Sequence, residues 1–132
     1  MRSTILTYLA VAVPFAAVDL LWLGTVAGSL FRRDLGPLLR DTPRWDAALL
    51  FYLLYPMAVM ILAIPKADGD WQRALWLGAV LGLCAYGTYD LTNLATLRAW
   101  TVRLAMIDVA WGTALTALAA WLGFVANRSL AG

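Results

Sequence analysis

Four apolar runs, each long enough to cross a lipid bilayer, constrain this chain more than any other feature. A hydrocarbon core roughly 30 Å thick is crossed by about 20 helical residues. Inside it no water is available to satisfy an open backbone, so each run must form a helix. The runs cover residues 5–30 (interrupted by Pro14 and Asp19), 47–64, 74–97 and 104–125. Short connections make successive helices antiparallel neighbours. The expected fold is therefore all-α: a polytopic membrane protein, an antiparallel bundle of four transmembrane helices. It forms one membrane domain over residues 1–132, with an interfacial loop at 31–46. Composition agrees: 63% of residues are hydrophobic, 14% are charged and mean hydropathy is +0.76, too little charge for a soluble surface. The first run is too long for a secretion signal, and no small-x-small pattern closes it before Arg32 and Arg33, so it reads as a retained helix.

Much chemistry is excluded by what the chain lacks. Cys84 is the one cysteine and there is no histidine, which removes an intrachain disulfide, a histidine-held haem or metal, and a Ser-His or Cys-His hydrolase. No cofactor and no metal are expected. Lys66 is the single lysine and follows Pro65 in a loop, which argues against a Schiff base inside the bilayer. A net charge of +2 is too small and scattered for a nucleic-acid partner.

Orientation follows from the basic residues in the loops. The face opposite the N-terminus carries Arg32, Arg33, Arg40, Arg44, Arg98 and Arg103. The N-terminal face carries Arg2, Lys66, Arg73 and Arg128. Six against four favours both termini outside. The first loop, "FRRDLGPLLRDTPRW", places Phe31, Leu35, Leu38 and Leu39 at near-helical spacing with arginines between, and Gly36-Pro37 should break any helix there. It reads as an interfacial connector with arginines at lipid phosphates.

All eight acidic residues are aspartates, and Asp19, Asp90 and Asp108 lie within the apolar runs. Each would cost about 2.5–3.5 kcal/mol if left charged at the bilayer centre. Alternating helix directions put all three, with Tyr52 and Tyr55, in the half of the membrane near the first and third loops. In the third helix Gly78, Gly82, Tyr86 and Asp90 recur at i+4, followed by Asn93 at i+3, so they form one stripe. Its first part is small-xxx-small, which favours close helix contact, and its second part is polar. Asp108, Gly112 and Thr116 repeat that logic in the fourth helix. Pro56 withholds an N–H from the Tyr52 carbonyl. The segment "DLLW" (Asp19 to Trp22) is echoed by "DVAW" (Asp108 to Trp111), and "YLLY" (Tyr52 to Tyr55) by "YGTY" (Tyr86 to Tyr89).

"DLLWLG", "FYLLYP", "YGTYDLTNLATLRAW" and "DVAWG" resemble a widespread bacterial family of small four-helix integral membrane proteins catalogued as a domain of unknown function. The resemblance covers nearly the whole chain. It implies the membrane fold and a multi-pass protein of the bacterial cytoplasmic membrane, and carries over no activity or catalytic residue.

The expected site is a polar pocket lined by Asp19, Trp22, Tyr52, Tyr55, Tyr86, Tyr89, Asp90, Asn93, Asp108 and Trp111, with Asp90 as its principal polar group. Carboxyl groups among aromatic walls suit a small cationic, amphipathic or lipid-like ligand, bound or transported. Transport by so small a body would require a dimer, for which Gly24-xxx-Gly28 offers a contact. The lipid bilayer is the one certain partner class, with a homodimer or larger membrane complex as further partners. Three competing readings remain. The acids could be structural glue neutralised by Arg98 and Arg103. The chain could be an accessory subunit with Trp45, Trp71 and Trp100 as interface anchors. It could also be a membrane enzyme using Asp/Tyr acid-base chemistry on lipid or isoprenoid, although no nucleophile or metal motif supports that role.

Overall fold

A computed structural model describes residues 2–131, and among them the chain is helical throughout apart from short connections, with no strand. The helices are α1 (Arg2–Trp22), α2 (Gly28–Leu35), α3 (Trp45–Leu62), α4 (Trp71–Thr96) and α5 (Val102–Ala131). Four stretches, Arg2–Leu38, Trp45–Ala67, Trp71–Thr96 and Val102–Leu130, are long and apolar enough to cross a membrane.

The first helix continues beyond the expected end near Leu30. A π turn, Leu23–Ala27, joins α1 to α2 without a break, and the Gly28 N–H bonds to the Leu23 carbonyl. Arg32 and Arg33 therefore ride on a helix and not in a loop. Gly36 stops it, as the Gly-Pro pair predicts: its φ of +54° lies in the left-handed region open to glycine, and Pro37 has no N–H to extend the ladder. Side chains mark two of the other helix starts. The Asp70 carboxylate accepts the Gln72 N–H at 2.9 Å before α4, and the Thr101 hydroxyl accepts the Leu104 N–H at 3.0 Å before α5.

Helix α5 is the centre of the bundle. It packs most extensively along α4 and then α1, whereas α3 leans on α1 and barely meets α4. The α4–α5 seam follows the small-residue stripe. A Cβ added to Gly78 would lie 2.6 Å from the Ala120 Cβ, and one added to Gly82 would lie 2.6 Å from the Gly112 carbonyl. Further along, the Tyr86 ring covers Gly112 so closely that no side chain fits there. The main core gathers Val11 and Phe15 of α1, Val59 of α3, and Leu115, Ala119 and Ala120 of α5. Outward positions such as Leu21, Leu49, Ile61, Trp76 and Leu91 are exposed and apolar, as a lipid-facing surface requires.

Two contacts tie the ends together. Pro56 lies buried inside α3, and in the turn before it the Leu53 carbonyl accepts the Tyr8 hydroxyl of α1 at 2.7 Å. The proline-opened turn is thus closed from a neighbouring helix, one residue along from the Tyr52 carbonyl singled out by sequence. At the loop end, the Asp34 side chain is only 4% exposed. It accepts the Thr101 hydroxyl at 2.6 Å and pairs with Arg103, joining α2 to the start of α5. Arg103 is therefore committed to Asp34 and does not neutralise the acids of the bundle. Trp100 is also not an interface anchor. It is buried against Leu104 and Ala105, with Phe31 and Tyr89 edge-on to its ring, while Trp45 and Trp71 remain exposed.

Candidate functional site

Asp19 is held by donors from two other helices. Helix α1 presents it to both α3 and α5, where its two oxygens accept the Tyr52 hydroxyl at 2.5 Å and the Trp111 indole N–H at 2.9 Å. The Trp111 ring is held in turn by Trp22, stacked on it with centroids 4.3 Å apart and planes 8° from parallel. The echo between "DLLW" and "DVAW" thus has a spatial meaning: the aspartate of one segment bonds the tryptophan of the other, and the two tryptophans stack.

Beside this network lies a cavity of about 400 Å³. Seven of the sequence candidates line it: Asp19, Trp22, Tyr52, Tyr55, Tyr86, Tyr89 and Asp108. The rest of the wall is Leu23, Phe31, Ala48, Phe51 and Ala85, so no arginine or lysine reaches the space. Its aromatic wall is braced. Tyr55 bonds Thr116 of α5 through its hydroxyl at 2.8 Å and meets the Tyr86 ring edge-on at 6.1 Å, and Phe51 stacks on Tyr55 one turn away at 5.3 Å. Sequence reasoning overlooked Phe51 and Phe31. The first was legible as an aromatic four residues before Tyr55; the second lay beyond the expected helix end.

Three candidates stand elsewhere. Trp111 acts behind Asp19 and not on the cavity surface. Asn93 is half-buried and its carbonyl accepts the Leu97 N–H at 2.8 Å, closing α4. Asp90, expected as the principal polar group of the pocket, is 0% exposed and lies in the α4–α5 seam. The cause is helical phase. Residues four apart share a face, so Asp90 continues the line of Gly78, Gly82 and Tyr86 against α5; the long Tyr86 ring still reaches the cavity, as Ala85 and Tyr89 do, and the short Asp90 side chain does not. With Gly82 and Tyr86 set against Gly112, the register of the seam places Asp108 opposite Asp90, and Asp108 itself lines the cavity. Neither carboxyl oxygen of Asp90 makes a hydrogen bond of ordinary geometry, nor does the buried Trp100 indole N–H.

The remaining polar residues of "YGTYDLTNLATLRAW" need no pocket. Thr88, Thr92 and Thr96 lie on the exposed side of α4, and each hydroxyl bonds the carbonyl four residues back: Thr88 to Cys84 at 2.6 Å, Thr92 to Thr88, and Thr96 to Thr92 at 2.8 Å. A threonine that satisfies itself on its own helix can face lipid. Among the described residues no group of three or more His, Cys, Asp or Glu side chains could hold a metal ion.

Four membrane-length helices, an apolar exterior and polar groups turned inward define a multi-pass membrane protein. The chain belongs to DUF2177, a family described as a predicted membrane protein, whose model matches residues 4–125. Neither the curated proteins nor the solved structures contain a significant match to it.

Proposed function

We propose that the cavity binds a small organic cation, or the cationic head of an amphipathic molecule, inside the membrane. The observation that carries this reading is the Asp19 carboxylate, fixed by two donors at the wall of an aromatic cavity that no basic residue reaches. Cation–π contacts of about 0.5–2 kcal/mol each with the Tyr and Trp faces add to the ionic attraction. The size also fits, since ligand cavities begin at about 300 Å³. A groove that shares Leu23, Phe31 and Tyr89 with the cavity leads to Arg40 and Asp41 of the first loop and Trp45 at the start of α3, giving a route along the α1–α2 edge. The arginine excess at that end favours its placement in the cytoplasm, with both termini outside.

The test is calorimetric titration of the purified protein in neutral detergent with choline and with its uncharged isostere 3,3-dimethylbutanol. Choline should bind and the alcohol should not. Asp19→Asn should weaken choline at least about tenfold, which is ~1.4 kcal/mol. Tyr52→Phe should weaken it less, because one donor to the carboxylate remains. Equal binding of the alcohol, an unaffected Asp19→Asn variant, or no choline binding by the wild type refutes the proposal.

A further inference from the structure

Asp90 is a carboxyl group with no exposed surface and no hydrogen bond of ordinary geometry on either oxygen. A carboxylate in that condition is untenable inside a membrane, where an uncompensated charge neutralises itself instead of persisting. Gly82 and Tyr86 of α4 lie against Gly112 of α5, so the next turn of each helix sets Asp90 opposite Asp108, both buried, and the Trp100 indole packs at the same end against Tyr89, Leu104 and Ala105. Asp108 shares the cavity wall with Asp19 of α1 and with Tyr86 and Tyr89 of α4. Among the described residues neither carboxyl forms an ion pair with an arginine or lysine, and Arg103, on the same helix as Asp108, is held by Asp34.

One proton resolves the conflict between the two carboxyl groups. Two ionised carboxylates are both acceptors and cannot bond each other, whereas a neutral Asp90 has an O–H to donate to Asp108. A buried carboxyl that otherwise lacks any partner then gains one, as buried polar groups in folded proteins nearly always do. We propose that Asp90 and Asp108 form a proton-binding pair, in which the proton rests on Asp90 and the negative charge on Asp108. Because Asp108 lines the cavity and Asp90 does not, the charge is presented to the ligand space while the proton stays in the seam. Asp90 is thus a positioning residue that keeps Asp108 ionised. This deepens the cation-binding reading by giving the cavity a second carboxylate, and the proton on Asp90 stands or falls independently of that reading.

Infrared difference spectroscopy at neutral pH tests the proton directly. The wild type should show the carbonyl stretch of a protonated carboxylic acid, and Asp90→Asn should lack it. In Asp108→Asn the band should persist, since Asp90 keeps its proton, while choline affinity falls. Asp90→Asn should bind choline within about twofold of wild type, because an amide N–H replaces the acid O–H as donor to Asp108. Asp90→Leu should lose about tenfold or more, since Asp108 then has no donor and takes up the proton itself. Should Asp90→Leu fail to fold, the infrared comparison of Asp90→Asn with wild type decides alone. An acid band unchanged in Asp90→Asn overturns the proton site. Loss of choline affinity in a folded Asp90→Asn protein overturns the positioning role. A wild type that shows the band yet binds no choline refutes the cation-binding reading and leaves the proton on Asp90 established.

Discussion

Replacing Gly78 by alanine should loosen the α4–α5 seam by an amount that the structure sets. The new Cβ would sit 2.6 Å from the Ala120 Cβ, 2.8 Å from the Thr116 carbonyl oxygen and 2.9 Å from the Ala117 Cα. Carbon atoms pack at about 3.5–4.0 Å, so the shortfall is about 1 Å. Two of the three obstructing atoms are backbone. No rotamer change relieves them, and the helices must move apart along the line that holds Gly82 and Gly112 together. Overpacking of this kind costs about 1–3 kcal/mol. In a membrane, close packing is itself what binds one helix to the next, with no hydrophobic drive to compensate. Gly87 on the same helix is the control, because a Cβ there meets nothing within 4 Å. Gly87→Ala should be neutral or, from helix propensity, stabilising by up to about 1 kcal/mol. The assay is equilibrium unfolding in mixed neutral-detergent and SDS micelles, followed by tryptophan fluorescence, with both variants compared with wild type. A gap of about 2 kcal/mol or more between them is expected. Adding Ala120→Gly to Gly78→Ala should recover part of the loss, since it removes the nearest of the three clashes and leaves the backbone ones. Indistinguishable Gly78→Ala and Gly87→Ala proteins would refute the seam.

Two further expectations concern the tryptophan pair and the direction of insertion. The parallel indoles of Trp22 and Trp111 should give an exciton couplet in circular dichroism that disappears in Trp22→Phe and in Trp111→Phe alike. Trp111→Phe should in addition cost about 1.5–3 kcal/mol of stability by removing a donor from Asp19; a couplet surviving either change would mean the rings do not stack. A cysteine at Arg40, in a Cys84→Ala background, should be shielded from a membrane-impermeant thiol reagent on intact cells, while one at Ser129 is labelled. The reverse pattern would invert the orientation.

What the amino-acid sequence discloses here is governed by distance along the chain. Helical spans follow from apolar length, and the stripe of Gly78, Gly82 and Tyr86 follows from spacing within one helix, so both are legible. The depth shared by Asp19, Tyr52 and Asp108 is legible too, because alternating helix directions convert position into height. Rotation of each helix about its own axis is not. Spacing shows that Tyr86 and Asp90 share a face, but only packing shows that the Tyr86 ring reaches the cavity while Asp90 is closed into the seam with α5. Partners brought together across the chain were equally hidden. Asp34 sits among arginines and read as part of an interfacial connector, whereas its partners Thr101 and Arg103 lie 67 and 69 residues away. Trp100 read as an interface anchor because a terminal tryptophan beside arginines ordinarily is one. Here α2 supplies Phe31 to cover it.

The π turn between α1 and α2 makes the first helix two segments with separate phases. A π turn accommodates one residue more than an α-helical turn, and a single residue corresponds to about 100° of rotation around the axis. Upstream, Asp19 is aimed at α3 and α5; downstream, Asp34 is aimed at Thr101 and Arg103. An unbroken α-helix would change the bearing of Asp34 relative to Asp19 by about 100°. Relatives that differ by one residue within 23–27 would therefore keep a helix of unchanged appearance while turning one segment away from its partners. Alignments drawn without a gap through this stretch would compare residues that point in different directions.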